Sequence, residues 1–289
     1  MATNPRPYWS ERMGRSPRHS VLNAEQTRRL FASLWSELEA MDLFQQAFGY
    51  DCVDEGFVQG TLGPRASDRI SIVLGYDDVW PFNESRIASW SDDQLFDVIE
   101  FLYDHVSKGD RIGGYLHTFN DCGWHYRKFD AEQGRSEYRG RVNEILSRVE
   151  DGFELTAGGQ IMRLAPEGLE PLLLEDARNL GESNQDHVRS AIHKFRSRAS
   201  SSTQRRDAVR DLADVLENIR PDVKEYLFSE DERALFEIAN KFWIRHNKPG
   251  ERREYDHEAW WTWLFYLYLD SISLVDHLKE KSDRLDARD

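Results

Sequence analysis

The chain has 289 residues, with 38 Lys or Arg against 52 Asp or Glu, and a formal net charge of -14. This charge excludes a general nucleic-acid coat and a basic membrane-surface binder, although it leaves room for a local basic site. Aromatic residues make up 12% of the chain, which argues against intrinsic disorder. At about 150 residues per domain, the length predicts two domains.

Hydrophobic residues recur at helical spacing in three segments of the first half. They predict amphipathic helices at residues 24–48, 92–106 and 135–150. Asn23 and Ser91 stand where N-cap residues are expected. The intervening residues predict less regular structure, because short apolar pieces alternate there with glycine and proline.

Two other segments of the first half have clear signatures. Residues 111–133 carry several glycines among aromatic residues and predict an irregular loop. Residues 153–164 place two short β-type runs around Gly158-Gly159, which predicts a β-hairpin. A helix followed by a hairpin is the order of winged-helix domains, so a DNA-binding regulator is one alternative, although acidic residues surround the arginines there.

The second half predicts four helices, at residues 184–198, 206–227, 231–244 and 256–280. Pro221 should kink or split the second of them. The expected fold is mainly α: an α+β amino-terminal domain with a small wing-like hairpin, followed by a four-helix bundle. The polar stretch between them predicts domains at 1–178 and 183–289.

The cysteines give no sign of a metal centre by their spacing. Cys52 and Cys122 match neither a zinc pattern nor a disulfide framework, so we expect buried or half-buried thiols. His125, beside Asp121 and Cys122, suggests a metal or a pocket, but one His without a partner at ligand spacing favours a structural loop residue. We therefore predict that the chain binds no metal and no cofactor.

The predicted location is the cytoplasm. The first 20 residues lack the apolar segment of a signal peptide, and the use of cysteine suits a reduced compartment. The longest apolar run, residues 259–269, is too short for a bilayer, which needs about 20 residues. We expect no membrane association.

Positive charge is concentrated between the third and fourth helices of the second half. Five Lys or Arg and one Glu lie between Lys241 and Arg253. Within this segment Arg245 and His246 have the chemistry for RNA cleavage without a metal, because His moves a proton and Arg neutralises the phosphate. The alternative is that both residues cap a helix C-terminus. Residues expected to guide RNA are Lys194, Arg196, Lys248 and Arg252.

Residues 8–175 resemble the amino-terminal domain of AbiJ-type abortive-infection proteins of bacteria. The resemblance is carried by YWSE at 8–11, FGYDCVDEGFVQGTLG at 48–63 and QLFDVIEFL at 94–102. Residues 185–280 resemble the helical half that follows such domains, with LFEIANKFWIRHN at 235–247 and WWTWLFYLYL at 260–269. This half is similar in layout to HEPN domains.

The resemblance implies a cytoplasmic anti-phage protein. Its first domain would sense a phage-derived or host trigger, and its second would be a dimeric, metal-independent ribonuclease acting on RNA, with tRNA as one candidate. The sequence departs from the HEPN motif R-x4-6-H, since no His follows Arg245 at that spacing. Three alternatives stay open: Arg245 acts with His246, it acts with His257, or the chain is a non-catalytic dimeric interaction protein of a defence or toxin-antitoxin system.

Overall fold

The computed structural model describes residues 9–14, 21–173, 180–241 and 256–286. The chain divides into two compact units, Met1–Leu164 and Ala165–Asp289, each described here by itself. The division falls before the 178–183 boundary expected from composition. Leu169 and Leu172, which follow the division, pack against the core of the second unit.

The first unit is mainly helical. Its helices are α1 (Trp9–Arg12), α2 (Ala24–Ala40), α3 (Gln45–Phe48), α4 (Ala66–Leu74), α5 (Glu84–Ser89), α6 (Asp92–His105) and α7 (Ala131–Leu146). The predicted caps are confirmed, because Asn23 and Ser91 each accept a hydrogen bond from the third residue of their helix. In both cases the Gln at that position reciprocates, which completes a capping box.

The helix predicted over 24–48 is broken in two. α2 ends at Ala40, Asp42 takes a left-handed backbone with φ 56°, and α3 resumes at Gln45. Aspartate tolerates this conformation better than most residues because its short polar side chain can hydrogen-bond locally. Apolar periodicity continues through the break, so the pattern alone could not reveal it.

The strands form four antiparallel pairs. They are β1 (Gly49–Cys52), β2 (Gly56–Gln59), β3 (Lys108–Asp110), β4 (Tyr115–His117), β5 (Gly123–His125), β6 (Lys128–Asp130), β7 (Phe153–Leu155) and β8 (Ile161–Arg163). β1 pairs with β2, β3 with β6, β4 with β5, and β7 with β8.

The hairpin predicted at 153–164 is confirmed by β7 and β8. The prediction of an irregular loop at 111–133 is wrong, because β4 and β5 form a hairpin nested inside the β3–β6 pair. Each of these strands has three residues, too few to establish the alternation that identifies a strand in sequence.

The core of the first unit is aromatic and lies among α2, α6 and α7. Phe31 and Trp35 of α2 are buried in it with Tyr138 of α7. The Tyr138 hydroxyl donates to the carbonyl of Ile99 on α6 at 3.0 Å, so its polar end is satisfied. This packing fixes the end of α2. From there the chain continues through the turn at Asp42 and through α3 to β1.

The second unit consists of α8 (Glu182–Arg196), α9 (Ser202–Asn218), α10 (Arg220–Tyr226), α11 (Ser229–Lys241) and α12 (His257–Asp286). The split predicted at Pro221 is confirmed, since α10 begins with Pro221 in its first turn. The apolar faces of α8, α9 and α12 enclose one core, in which Leu264 and Phe265 of α12 are fully buried.

Among the described residues, no helix has the length and apolar character needed to cross a membrane.

Candidate metal centre

Two histidines share one face of the β4–β5 hairpin. In its register Tyr115 pairs with His125 and His117 pairs with Gly123. Side chains alternate along a strand, so His117 of one strand and His125 of the other point to the same side. Their ring centroids lie 5.4 Å apart, with the planes at 81°.

Two cysteines complete the cluster. Cys122 directly precedes β5 and follows a short 3-10 helix at Phe119–Asp121. The chain turns back there through Gly123, whose φ of 85° favours glycine. Cys52 ends β1 in the other hairpin, and its Sγ lies 3.6 Å from Nδ1 of His117.

One ligand atom from each of Cys52, His117, Cys122 and His125 lies within 4.8 Å of all the others. A tetrahedral zinc site has Zn–S bonds of about 2.3 Å and Zn–N bonds of about 2.0–2.1 Å, which place its ligand atoms about 3.3–3.8 Å apart. The Cys52–His117 distance of 3.6 Å already matches an S–N edge of that tetrahedron. Small side-chain movements would bring the remaining atoms into range.

His117 is oriented for metal binding by a carboxylate. Its Nε2 lies 3.2 Å from Oδ2 of Asp54, on the side of the ring away from Cys52. A histidine that binds a metal through one nitrogen commonly donates its other N–H to a carboxylate, which fixes the tautomer and makes the ligand more basic. Asp54 occupies that position for His117.

The two ring nitrogens of His125 differ in their hydrogen bonding. Its Nδ1 lies 2.7 Å from the Tyr115 hydroxyl, which lies 3.4 Å from Oε1 of Glu55. Burial and the negative charge of Glu55 raise the pKa of Tyr115. Its single O–H donates to Glu55, so its oxygen accepts from Nδ1–H of His125 and the lone pair of His125 is on Nε2. The side chain is only 2% exposed, and among the described residues its buried Nε2 has no hydrogen-bond partner. A metal ion at the cluster would satisfy this atom.

Neighbouring residues hold His125 in place. Gln45 donates through Nε2 to the carbonyl of Trp124 at 2.7 Å and accepts from the N–H of Tyr126 at 3.1 Å. The ring of Tyr50 packs on the imidazole with a centroid distance of 4.3 Å. One glutamine side chain thus fixes the backbone on both sides of the histidine.

The sequence did not predict this cluster. The two cysteines are 70 positions apart and suggest no site as a pair, and His125 has no second histidine at ligand spacing. The available signal was His117-x4-Cys122-x2-His125, three ligand-type residues within nine positions. Cys52 carries no local signal, because only the folded chain brings the β1–β2 hairpin to this place.

No protein-family model, curated protein or solved structure matches the chain. The site must therefore be interpreted from its own chemistry.

Four of the residues predicted to act on RNA, namely Arg245, His246, Lys248 and Arg252, lie outside the described residues. His257 is the first residue of α12, and its ring contacts Trp261 edge to face, with centroids 5.0 Å apart.

The other two predicted RNA-binding residues lie near the end of α8. Nζ of Lys194 forms an ion pair with Asp211 of α9 at 2.5 Å. Arg196 is only 5% exposed, so its side chain is largely withdrawn from solvent. Neither residue offers RNA a fully exposed positive charge.

The end of α8 contacts the beginnings of α9 and α12. Phe195 stacks on Phe265 of α12 at 4.0 Å between centroids. The Arg205 guanidinium lies 4.5 Å from the Phe195 ring centroid and also pairs with Glu258, the neighbour of His257. The segment bearing Lys194 and Arg196 is therefore at the same end of the second unit as His257.

Two arginines in and before the β7–β8 hairpin are paired with carboxylates. In β8, the Arg163 guanidinium lies 3.7 Å from Asp151. On the preceding helix, the Arg141 guanidinium lies 3.4 Å from Glu37 and 3.6 Å from Glu137. Its charge is shared between two carboxylates, so this part of α7 gives a phosphate backbone little attraction.

Proposed function

We propose that the first unit is a zinc-binding module in which Cys52, His117, Cys122 and His125 hold one structural Zn²⁺. The observation that carries the proposal is His125, whose ring lies in one cluster with two thiols and a second imidazole and whose buried Nε2 has no partner among the described residues. Two sulfur and two nitrogen donors suit Zn²⁺ rather than Mg²⁺ or Ca²⁺, which prefer oxygen.

The ion would be structural because four protein ligands close its coordination shell. A catalytic zinc keeps one position for water or substrate. A structural ion would also stabilise the fold, since an isolated two-stranded hairpin is only marginally stable. The ion would tie the β1–β2 hairpin, through Cys52, to the β4–β5 hairpin, through the other three ligands.

Metal analysis of the purified full-length chain tests this proposal. We expect one zinc per chain and, after exchange, a tetrahedral Co²⁺ spectrum with thiolate charge-transfer bands. Cys52→Ser should lose zinc, and Asp54→Asn should bind it about 10–100-fold more weakly because His117 loses its orienting carboxylate. His105→Gln is the control, since His105 is a histidine of the same unit that contacts the Phe101 carbonyl at 2.7 Å and lies outside the cluster.

Two results would contradict the zinc module. One is wild-type protein that stays metal-free after reduction and incubation with zinc. The other is Cys52→Ser protein that binds zinc as tightly as the wild type.

As a second function, we propose that the second unit is a HEPN-like ribonuclease of an anti-phage system, acting as a dimer. The observation that favours it is the contact between the end of α8 and the first part of α12, the helix that begins at His257. Arg245 would stabilise the phosphate, and His246 or His257 would transfer the proton. The first unit would then sense or regulate.

Cleavage of total RNA and tRNA tests this second proposal. Zinc-loaded protein is assayed without added divalent ions and again with EDTA, which separates metal-independent cleavage from any effect of the zinc module. Arg245→Ala and either His246→Ala or His257→Ala should abolish cleavage. The matched control is His277→Ala, because His277 is exposed on the same α12 helix. If neither free protein nor protein mixed with phage-infected lysate cleaves RNA, the non-catalytic interaction protein is favoured instead.

A further inference from the structure

A small cavity in the first unit lies beside the candidate metal centre, because its wall includes Tyr50, whose ring packs on His125. Its volume is about 150 Å³. Its walls include four aromatic rings and two carboxylates, those of Trp35, Phe48, Tyr50, Trp80, Glu39 and Asp42. The break between α2 and α3 creates this arrangement, because Asp42 lies in the turn and Phe48 lies beyond it.

The aromatic rings of the cavity wall belong to one packed cluster. Trp35 and Phe48 meet edge to face, with centroids 6.0 Å apart and planes at 89°. Phe48 and Trp80 stack, with centroids 5.0 Å apart and planes at 19°. The face of an aromatic ring carries negative potential, so any ring face left open to the cavity attracts a cation placed there.

The two carboxylates form no direct ion pair in the described part of the chain, although Arg111 reaches the Tyr126 hydroxyl that also contacts Asp42. Among the described residues, neither Glu39 nor Asp42 forms an ion pair with Lys, Arg or His. Partial burial raises the pKa of each, while the Trp35 N–H opposes the shift at Glu39 and the Tyr126 hydroxyl opposes it at Asp42. The Tyr126 hydroxyl lies 3.4 Å from Oδ2 of Asp42. Asp42 is half-buried and Glu39 is exposed, and a carboxylate that is partly withdrawn from water gains from a cationic partner.

We propose that this cavity binds an organic ammonium group that retains at least one N–H, such as the head of an alkylamine or of a lysine side chain. The aromatic faces attract its positive charge, and Glu39 and Asp42 accept its N–H bonds. An anion is excluded by the carboxylates. A neutral apolar group would leave both carboxylates without a partner, and the small volume excludes a large ligand.

Calorimetric titration of the zinc-loaded full chain tests the proposal. The probes are N,N-dimethylbutylammonium, with one N–H; butyltrimethylammonium, with none; and 1-pentanol, which is neutral. We expect the dimethyl probe to bind saturably and more tightly than the trimethyl probe, with pentanol at least about tenfold weaker, a difference of about 1.4 kcal/mol. Butylammonium and Nα-acetyl-lysine amide distinguish the two sources: equal affinity indicates a free amine, and tighter binding of the lysine compound indicates a partner's side chain.

Isosteric variants locate the binding. Glu39→Gln and Asp42→Asn should each reduce the affinity for the dimethyl probe about tenfold. Asparagine tolerates the left-handed backbone at position 42. Glu37→Gln is the matched control, because Glu37 lies on the same helix but pairs with Arg141. Retained zinc content and thermal unfolding confirm that each variant is folded.

Three results would overturn the proposal. They are no saturable binding of any ammonium probe, affinity unchanged in both carboxylate variants, and trimethyl or neutral probes that bind as tightly as the dimethyl probe. The last would show that the carboxylates do not accept an N–H.

Discussion

Removing the metal should destabilise the first unit and leave the second unchanged. A ligand that binds only the folded state stabilises it by about 4.1 kcal/mol when its free concentration is 1,000 times its Kd. The first unit spans Met1–Leu164. For a unit of this size each kcal/mol shifts Tm by about 2–4 °C, so zinc at that concentration should raise its Tm by at most about 8–16 °C, and by less to the extent that the unfolded chain also binds zinc.

The arrangement of ligands along the chain makes this prediction specific. The unfolded chain still holds His117, Cys122 and His125 close together, so it keeps some affinity for zinc. Cys52 joins them only in the folded state. Most of the stabilisation should therefore depend on Cys52, and in Cys52→Ser the Tm values with and without zinc should nearly coincide.

Differential scanning calorimetry with and without a chelator measures the shift. Hydrogen exchange then locates it, because amides in residues 49–59 and 108–130 should lose protection while those of α9 (Ser202–Asn218) do not. The reasoning is refuted if the chelator leaves the wild-type Tm unchanged. It is equally refuted if Cys52→Ser shows the same zinc-dependent shift as the wild type.

Two other sites give predictions that do not depend on a ligand. Glu100 accepts the N–H of Ile161 at 2.6 Å, so Glu100→Ala should cost about 1–3 kcal/mol in chemical denaturation by leaving that N–H unpaired. Burial raises the pKa of Glu100 above its ordinary 4.5, so its contribution to stability is greatest below that pH and is lost as the pH rises through the folded-state pKa. Glu100→Gln should flatten this pH dependence while keeping the acceptor, and an unchanged profile would contradict the assignment. In the second unit, Leu264→Ala should cost about 2–5 kcal/mol because Leu264 is fully buried, whereas the exposed Leu274 of the same helix should tolerate alanine with little loss.

The predictable part of the fold was the part encoded locally. Asn23 and Ser91 identified the starts of two helices because a cap acts through hydrogen bonds to residues only two or three positions away. Pro221 identified the split between α9 and α10 for a similarly local reason.

The candidate sites depended on contacts between distant residues. Cys52 approaches His117 across 65 positions, and Trp80 reaches Phe48 across 32. The three-residue strands that carry His117 and His125 were too short to give a periodic signal. No local property of Cys52 distinguishes a metal ligand from a buried thiol, so the spacing of three residues could at most have suggested an incomplete site.

The order of the four ligands also has a consequence for a broken chain. A metal held by Cys52 on one side and by His117, Cys122 and His125 on the other joins two segments that a cut between them would separate. Arg65, exposed in the loop before α4, is one position in that interval where trypsin could cleave. After such a cut, the bound ion would link the two fragments. Removing the ion with a chelator would make the fragments dissociate more readily.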